Sequence, residues 1–550
     1  MSLLNRRRFL SASAVGAVGA AVSTALPTDA ADEAEEWFRH GVASGDPLPH
    51  AVVLWTRVTP TPDAVPGSGV GPPIDVHWQI ARDRGFRHIV NRGRVSTGPR
   101  RDHTVKVDAT RLAPDTTYYY RFVADGHHSR VGRTTTAPAP QTTPRRLRFG
   151  VVSCSNWQAG WFSPYRHLAR RDDLTAVLHL GDYLYEYGPG EFGLGQANTD
   201  VRRHLPKHEM VTLGDYRRRH GQYKSDPDLA DLHAAAPWIV TWDDHETTND
   251  AWREGAENHN AGEGDWATRK AAARRAYDEW MPVRLSSTSA IRDGSRIYRR
   301  LRFGRLAELS MLDLRSYRSQ QAGDDLGAVD DADRTITGHQ QLRWLLDGLA
   351  GSRAQWKLIG NPVMVAPVLI PPLPAEITDA LVDVTGLLPK DGVPYNADQW
   401  DGYQADRRRL VRFLADHGIT DTVFLTGDIH SAWACDLPED AGRYPLSPSV
   451  ATELVCSSVT SNNVDDLLGV PERTASLTVE AAIQAANRHV RYVDLDRHGF
   501  SVLEISPARV QMDWYAISDR ADPTATAAHT ASWVVDAGTQ KVRPAPDPIG

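Results

Sequence analysis

Four short stretches of the chain run from apolar residues straight into clusters of ligand-type side chains. The first is Phe149-Gly150-Val151-Val152-Ser153-Cys154-Ser155-Asn156. A thiol at the end of an apolar strand is either a buried free cysteine or a soft metal ligand. The second is Leu178-His179-Leu180-Gly181-Asp182-Tyr183-Leu184-Tyr185-Glu186. Gly181 permits a sharp turn, and the Asp182 carboxylate then projects where it can bridge two cations. Tyr185, three residues on, offers a phenol oxygen, a hard donor suited to a trivalent metal. The plainer reading is an aspartate helix cap with packed tyrosines. In the third, Trp238-Ile239-Val240-Thr241-Trp242 leads into Asp243-Asp244-His245-Glu246. Four such groups at one strand end are costly unless paired, solvated or metal-bound. The fourth is Val423-Phe424-Leu425-Thr426-Gly427-Asp428-Ile429-His430. Asp428 and His430 are two apart, so on an extended segment they point the same way.

The elements that must position these residues read as α/β. Apolar runs of strand length recur at 147–153, 176–180, 238–242, 356–360 and 422–426, with helical stretches between them. One helix is expected over Asp265–Met281, with Ala273, Tyr277, Trp280 and Met281 on one face and Pro282 as its stop. Another is expected over Leu342–Leu349. Strands alternating with helices give an α/β domain, and ligands gather at the carboxyl ends of such strands. All four polar clusters occupy such ends. The catalytic domain is therefore drawn over 147–518, closing with an antiparallel hairpin from Arg491 to about Ser518. Residues 519–550 read as a C-terminal tail. The 366–402 segment has little periodicity and reads as a lid or binding wall.

The N-terminal part is different. Residues 36–137 carry short strands separated by Gly/Pro/Asp turns, the pattern of a β-sandwich. Leu112-Ala113-Pro114-Asp115-Thr116-Thr117-Tyr118-Tyr119-Tyr120 resembles a late strand of fibronectin type III domains. A Pro-rich linker follows at 138–146. Residues 1–31 resemble a twin-arginine export signal: Arg6-Arg7-Arg8-Phe9-Leu10 precedes an apolar Gly/Ala-rich run. The expected route is the twin-arginine translocase, and the expected location is secreted or cell-wall associated.

Composition excludes several classes. With 41% hydrophobic and 24% charged residues, the 550-residue chain is not a disordered or fibrous one. A net charge of −7 gives no bulk basic field for nucleic acid. Three cysteines cannot make a disulfide scaffold. Cys435 and Cys456 are read either as a pair bridged after export or as two buried thiols.

Taken together, the motifs resemble the calcineurin-like metallophosphoesterases. Gly181-Asp182-Tyr183-Leu184-Tyr185 resembles the tyrosine form of their G-D-x-x-(D/Y) motif. Asp244-His245-Glu246 resembles G-N-H-(D/E) with Asp in place of Asn. Gly427-Asp428-Ile429-His430 resembles G-H-x-H with Asp in place of the first His, and Cys154 stands where D-x-H is expected. These departures resemble the PhoD-type alkaline phosphatases and phosphodiesterases, as do Leu312–Arg318, Asp398–Tyr403 and Arg497-His498-Gly499. The resemblance runs from about residue 36 to about 515. It implies a metallophosphoesterase β-sandwich flanked by helices behind a small all-β domain. It implies hydrolysis of phosphate esters by a metal-bound hydroxide or oxide, with one Fe³⁺ and one or two Ca²⁺. Cys154, Tyr185, Asp182 and His430 are assigned to iron. Asp182 would bridge to calcium held by Asp244 and Asp428. Asp243, Asn156, Asn361 and His489 are further candidates, with His489 read as structural. His245 is expected to be the acid, oriented by Glu246, and Arg315 and Arg318 are candidates for phosphate contact. Two alternatives stand beside this. One is a phospholipase D-type diesterase on phospholipids or wall teichoic acids, with an apolar lip at 368–374. The other is a non-catalytic wall adhesin.

Overall fold

The computed structural model describes residues 36–195, 197–285, 296–322, 326–370 and 393–550. The expected export signal at 1–31 and the 371–392 part of the expected lid lie outside the described residues.

Two sheets face each other. In the ten-stranded sheet the middle strands, Leu147–Val152, Ala176–His179 and Trp238–Val240, run parallel. The seven-stranded sheet has a parallel centre of Ala307–Met311, Trp356–Asn361, Thr422–Thr426 and Ser449–Val455. Side chains alternate across each strand, and this alternation builds the layers. Leu147, Phe149, Val151 and Leu178 meet Leu309, Leu358, Val423, Leu425 and Leu454 between the sheets. Val152, Val177 and Val240 point the other way, onto a helical layer that includes Tyr165, Tyr223, Leu232 and Tyr277. Ile359, Phe424 and Val455 do the same on the far side, against Leu345, Leu410 and Leu414. The expected sandwich flanked by helices is thus present.

The helix over Trp266–Trp280 matches its expected span. Asp265 caps it by accepting from the Thr268 amide at 2.9 Å. The second expected helix is longer than read, His339–Gly351.

The C-terminal reading needs correction. Residues 519–550 are not a tail, because Ala527–Asp536 and Val542–Pro544 extend the ten-stranded sheet beyond Arg509–Ile517. Their Ala/Ser/Thr content gives weak alternation, which hid them. The N-terminal unit is also less separate than the sequence suggests. It has its own core, including Val52, Leu54, Val76, Ile80, Tyr118 and Phe122. However, Val42–Leu48 pairs with Trp238–Val240 at Gly45↔Trp238, so three N-terminal strands complete the large sheet. Cys435 and Cys456 are separate buried thiols. Val368 and Leu369, read either as an apolar lip or as part of a packed lid, are buried. Among the described residues no helix is long and apolar enough to cross a membrane.

Candidate metal centre

The carboxyl ends of three strands in the large sheet and one in the small sheet meet at a single place. Asp182 lies at its middle. One ligand atom each from Cys154, Asp182 and His430 falls within a 4.8 Å set. The same holds for Asp182, Asp244 and His245, and for Asp182, Asp243, Asp244 and Asp428. Tyr185 joins the first group: its hydroxyl donates to Asp182 Oδ2 at 2.9 Å and lies 3.2 Å from His430 Nε2. Cys154, Asp182, Tyr185, Asp244, Asp428 and His430, the residues assigned to metals from the sequence, therefore lie in one cluster, and all are buried.

The backbone is bent to make this possible. Cys154, Asp182, Asp428 and His430 have φ of 60°, 55°, 62° and 55°. This left-handed region costs a non-glycine residue about 1–3 kcal/mol, and surrounding bonds must hold it. The Cys154 carbonyl accepts from the Thr460 and Ser461 amides at 3.3 Å each and from Ser461 Oγ at 3.0 Å. His430 Nδ1 lies 2.6 Å from the Asn462 carbonyl. Glu246 accepts from the amides of Asp182, Tyr183 and Asp243 at 3.2, 2.6 and 2.8 Å. Gly181 is required here: at φ 113° a Cβ would lie 2.6 Å from Asp243 Cβ. Gly427 is equally constrained, since a Cβ would lie 2.7 Å from Ser153 Cβ.

The electrostatics show a site built for cations. Burial raises Asp182 well above the usual carboxylate range; His245 opposes the shift, while Asp244, Glu246 and Asp428 add to it. Burial and Asp182 likewise push the Cys154 thiol up. Asp182 Oδ1 is buried with no hydrogen-bond partner. An orphaned oxygen among crowded carboxylates, thiol, phenol and imidazole fits metal ions, because a cation satisfies the lone pair and reverses the repulsion.

The surroundings correct one expectation. His245 is oriented by Glu186, whose Oε2 lies 2.7 Å from Nδ1, and not by Glu246. Burial alone would raise Glu186, but the His245 charge and bonds from Asn249 and Asn258 hold it at about 2. The Glu186, Asp244 and Asp182 carboxylates outweigh burial at His245 and raise it well above the ordinary imidazole value. The sequence placed Glu186 at the end of the second polar cluster but gave it no role, because its partner lies 59 positions away. Arg315 bonds Asp243, lies 3.0 Å from Asp398 Oδ1 and faces Asp428 at 3.5 Å. Its guanidinium clamps the acidic side of the cluster. Arg318, the other candidate for phosphate contact, is fully buried with its guanidinium engaged by Asp398 and the Ala251 carbonyl.

Of the further candidates, only Asp243 enters the cluster. Asn156 ties to the Phe192 carbonyl at 2.8 Å. Asn361 bonds Thr426 Oγ1 and accepts from the Trp400 indole, both at 3.1 Å. His489 is buried on the Pro367 carbonyl at 2.7 Å, the structural role expected of it. The Asp398–Tyr403 motif is explained as well, since Asp398 holds both arginines and Gln399 reaches Asp428 at 3.4 Å.

Residues 149–514 match the family model "PhoD-like phosphatase", and residues 22–138 match "PhoD-like phosphatase, N-terminal domain". Alkaline phosphatase D of Bacillus subtilis (strain 168) is 36% identical over 506 residues, spanning 90% of this chain and 80% of the relative. A solved "Structure of PhoD" aligns with a TM-score of 0.82 at 33% identity, covering 95% of this chain and 94% of that one. The family model spans all four strand ends of the cluster, and the likenesses in sequence and in structure each extend over nine-tenths or more of the chain, so the chain belongs to the PhoD-like phosphatase family and is a phosphoric ester hydrolase.

Proposed function

We propose that hydrolysis takes place at the Asp182 cluster, with one iron and one or two calcium ions as resident metals. The observation that carries this is the position of Asp182, common to three ligand-capable groups and with an unpartnered buried oxygen. Cys154, Tyr185 and His430 are the iron-side donors, because thiolate, phenolate and imidazole suit that metal. Asp244 and Asp428 are the calcium-side donors, with Asp243 beside them. Bound cations would hold phosphate oxygens and lower the pKa of water. His245 carries a proton on the cluster side of its ring, because Nδ1 is committed to Glu186. As water's oxygen bonds phosphorus and the ester P–O bond breaks, that proton passes to the leaving alkoxide. Arg315 is a positioning residue, spacing Asp243, Asp398 and Asp428.

The test is metal analysis together with hydrolysis of a matched monoester and diester, with and without a calcium chelator. Iron and calcium in the pure protein, with turnover lost on chelation and restored by calcium, are the expected results. Full turnover after complete calcium removal would overturn the assignment.

A phospholipase D-type preference for diesters is the second reading. It is supported by the exposed apolar side chains of Leu467, Leu468, Val470 and Leu477, on the segment that follows Asn462. Phosphatidylcholine turned over faster than the monoester would favour it. The export reading rests on the Arg6-Arg7 pair: R6K/R7K should leave the protein in the cytoplasm. The adhesin alternative has no observation in its favour.

A further inference from the structure

The Arg497-His498-Gly499 motif supplies none of the cluster's ligand groups, yet its imidazole stands behind one wall of the cluster. Both ring nitrogens of His498 are engaged. Nδ1 lies 2.9 Å from Ser458 Oγ. Nε2 lies 2.9 Å from Asp466 Oδ2 and 3.1 Å from Asn463 Nδ2. The ring therefore spans the 458–463 loop from its first residue to its last. Gly499 adds a backbone tie, because its amide donates to the Ser458 carbonyl at 2.9 Å. No larger residue fits there: a Cβ would lie 1.8 Å from the Tyr515 carbonyl oxygen. Arg520 closes the far side, pairing with Asp466 at 2.9 Å and donating to the Thr460 carbonyl at 2.5 Å.

Between those two ends the loop grips the cluster. The Thr460 and Ser461 amides and the Ser461 hydroxyl donate to the Cys154 carbonyl. The Val459 amide donates to the Ser153 carbonyl at 3.0 Å, and Thr460 Oγ1 to the Asn156 carbonyl at 2.8 Å. The Asn462 carbonyl faces His430 Nδ1 at 2.6 Å. Cys154 and His430 both have left-handed backbones, which persist only where neighbouring bonds hold them. One short loop thus fixes both residues.

Ser458, His498 and Asp466 have the members of a hydrolytic triad without its wiring. The carboxylate meets Nε2 and the hydroxyl meets Nδ1, the reverse of the usual order. Ser458 is fully buried, and its hydroxyl donates to the Ser461 carbonyl at 2.8 Å. The trio braces the loop and presents no nucleophile to substrate.

We propose that His498 is a positioning residue for the iron-side donors: by tying both ends of the 458–463 loop it sets the placement of Cys154 and His430. The inference rests on the iron reading given above. A group that orients a ligand histidine through its second ring nitrogen is worth about 10- to 100-fold in metal affinity. Here that group is the Asn462 carbonyl, and His498 acts by holding the loop that carries it.

The experiment compares the full wild-type chain with H498A, both loaded with iron and calcium. Two quantities are read on the same samples: iron affinity, and the visible charge-transfer absorption of thiolate and phenolate on Fe³⁺. The wild type should show the band. H498A should bind iron about 10-fold more weakly or worse, with the band of the bound fraction displaced. A merely structural role would lower Tm and leave that band where it is. Wild-type iron affinity and an unmoved band in H498A would overturn the inference and leave the iron reading intact. A wild type without iron or band would overturn that reading, and the inference with it. If H498A does not fold, D466A decides on the same two readouts, since it removes the carboxylate facing Nε2 from a side chain 24% exposed. A displaced band supports the brace, and an unmoved one refutes it.

Discussion

A buried carboxylate oxygen without a donor raises the free energy of the metal-free protein, and Asp182 Oδ1 is such an atom. Removing its charge therefore has opposite effects on function and on stability. D182N should lose bound metal and turnover together, yet unfold at a higher temperature than the metal-free wild type. Metal content and thermal unfolding measured on the same preparations check both; a D182N protein that retains full metal sinks the bridging role. Glu186 makes the complementary case. It touches none of the residues assigned to iron or calcium but fixes the ring of His245 and stabilises its charged form. Outer carboxylates that orient a site histidine are worth about 10- to 100-fold in activity. E186Q should therefore lower kcat by that factor with metal content and KM nearly unchanged. A fall in metal content instead would mark Glu186 as a scaffold residue.

At the scale of elements, the small sheet carries its own buried charge. Glu453, on the strand Ser449–Val455, accepts from Thr426 Oγ1 at 2.6 Å and from the Val365 and Ala366 amides at 2.9 and 2.6 Å. It thereby ties the strand that delivers Asp428 to the 361–366 turn. Burial pushes Glu453 up to about 7, from an ordinary value of 4.5, although these three bonds pull it down. The folded protein thus holds this proton more tightly than the unfolded chain. Its stabilising contribution is complete below pH 4.5 and is lost as pH rises to about 7. E453Q does not titrate, so wild type should lose roughly 3 kcal/mol relative to E453Q across that window. Denaturant unfolding at pH 4.5 and pH 8 measures the change; a constant difference would mean that Glu453 is ionised throughout. The strands themselves were legible because each passes abruptly from apolar to polar residues, and the Trp266–Trp280 helix because its buried face keeps a helical period. Glu186 was not, because its meaning lies in a partner brought close only by folding. Arg299–Phe303 escaped too: Arg300 reads as a surface charge, yet it lies over the Trp344 ring at 4.5 Å.

At the scale of the whole molecule, the N-terminal unit is bound to the catalytic one by buried polar contacts as well as by sheet pairing. Lys106 Nζ pairs with the Asp278 carboxylate and also reaches the Asp278 carbonyl at 2.6 Å. The Trp55 indole donates to the Glu279 carbonyl at 2.8 Å, and Arg217, held on the Glu279 side chain by two bonds of 2.7 Å, donates across to the Arg100 carbonyl at 2.8 Å. These contacts converge on the last turn of the Trp266–Trp280 helix, whose first turns face the catalytic side through Arg269 and Glu209. A wall-binding module on a flexible linker would be built otherwise. The two parts should unfold together, and the 138–146 linker should resist proteolysis until they do. Lys106→Met strips Asp278 of its buried partner, which costs about 3–5 kcal/mol. It should lower Tm and open the linker to early cleavage. K106M/D278N should recover much of the loss, because no bare charge remains. Early linker cleavage in the wild type with hydrolysis preserved would show that the interface is dispensable.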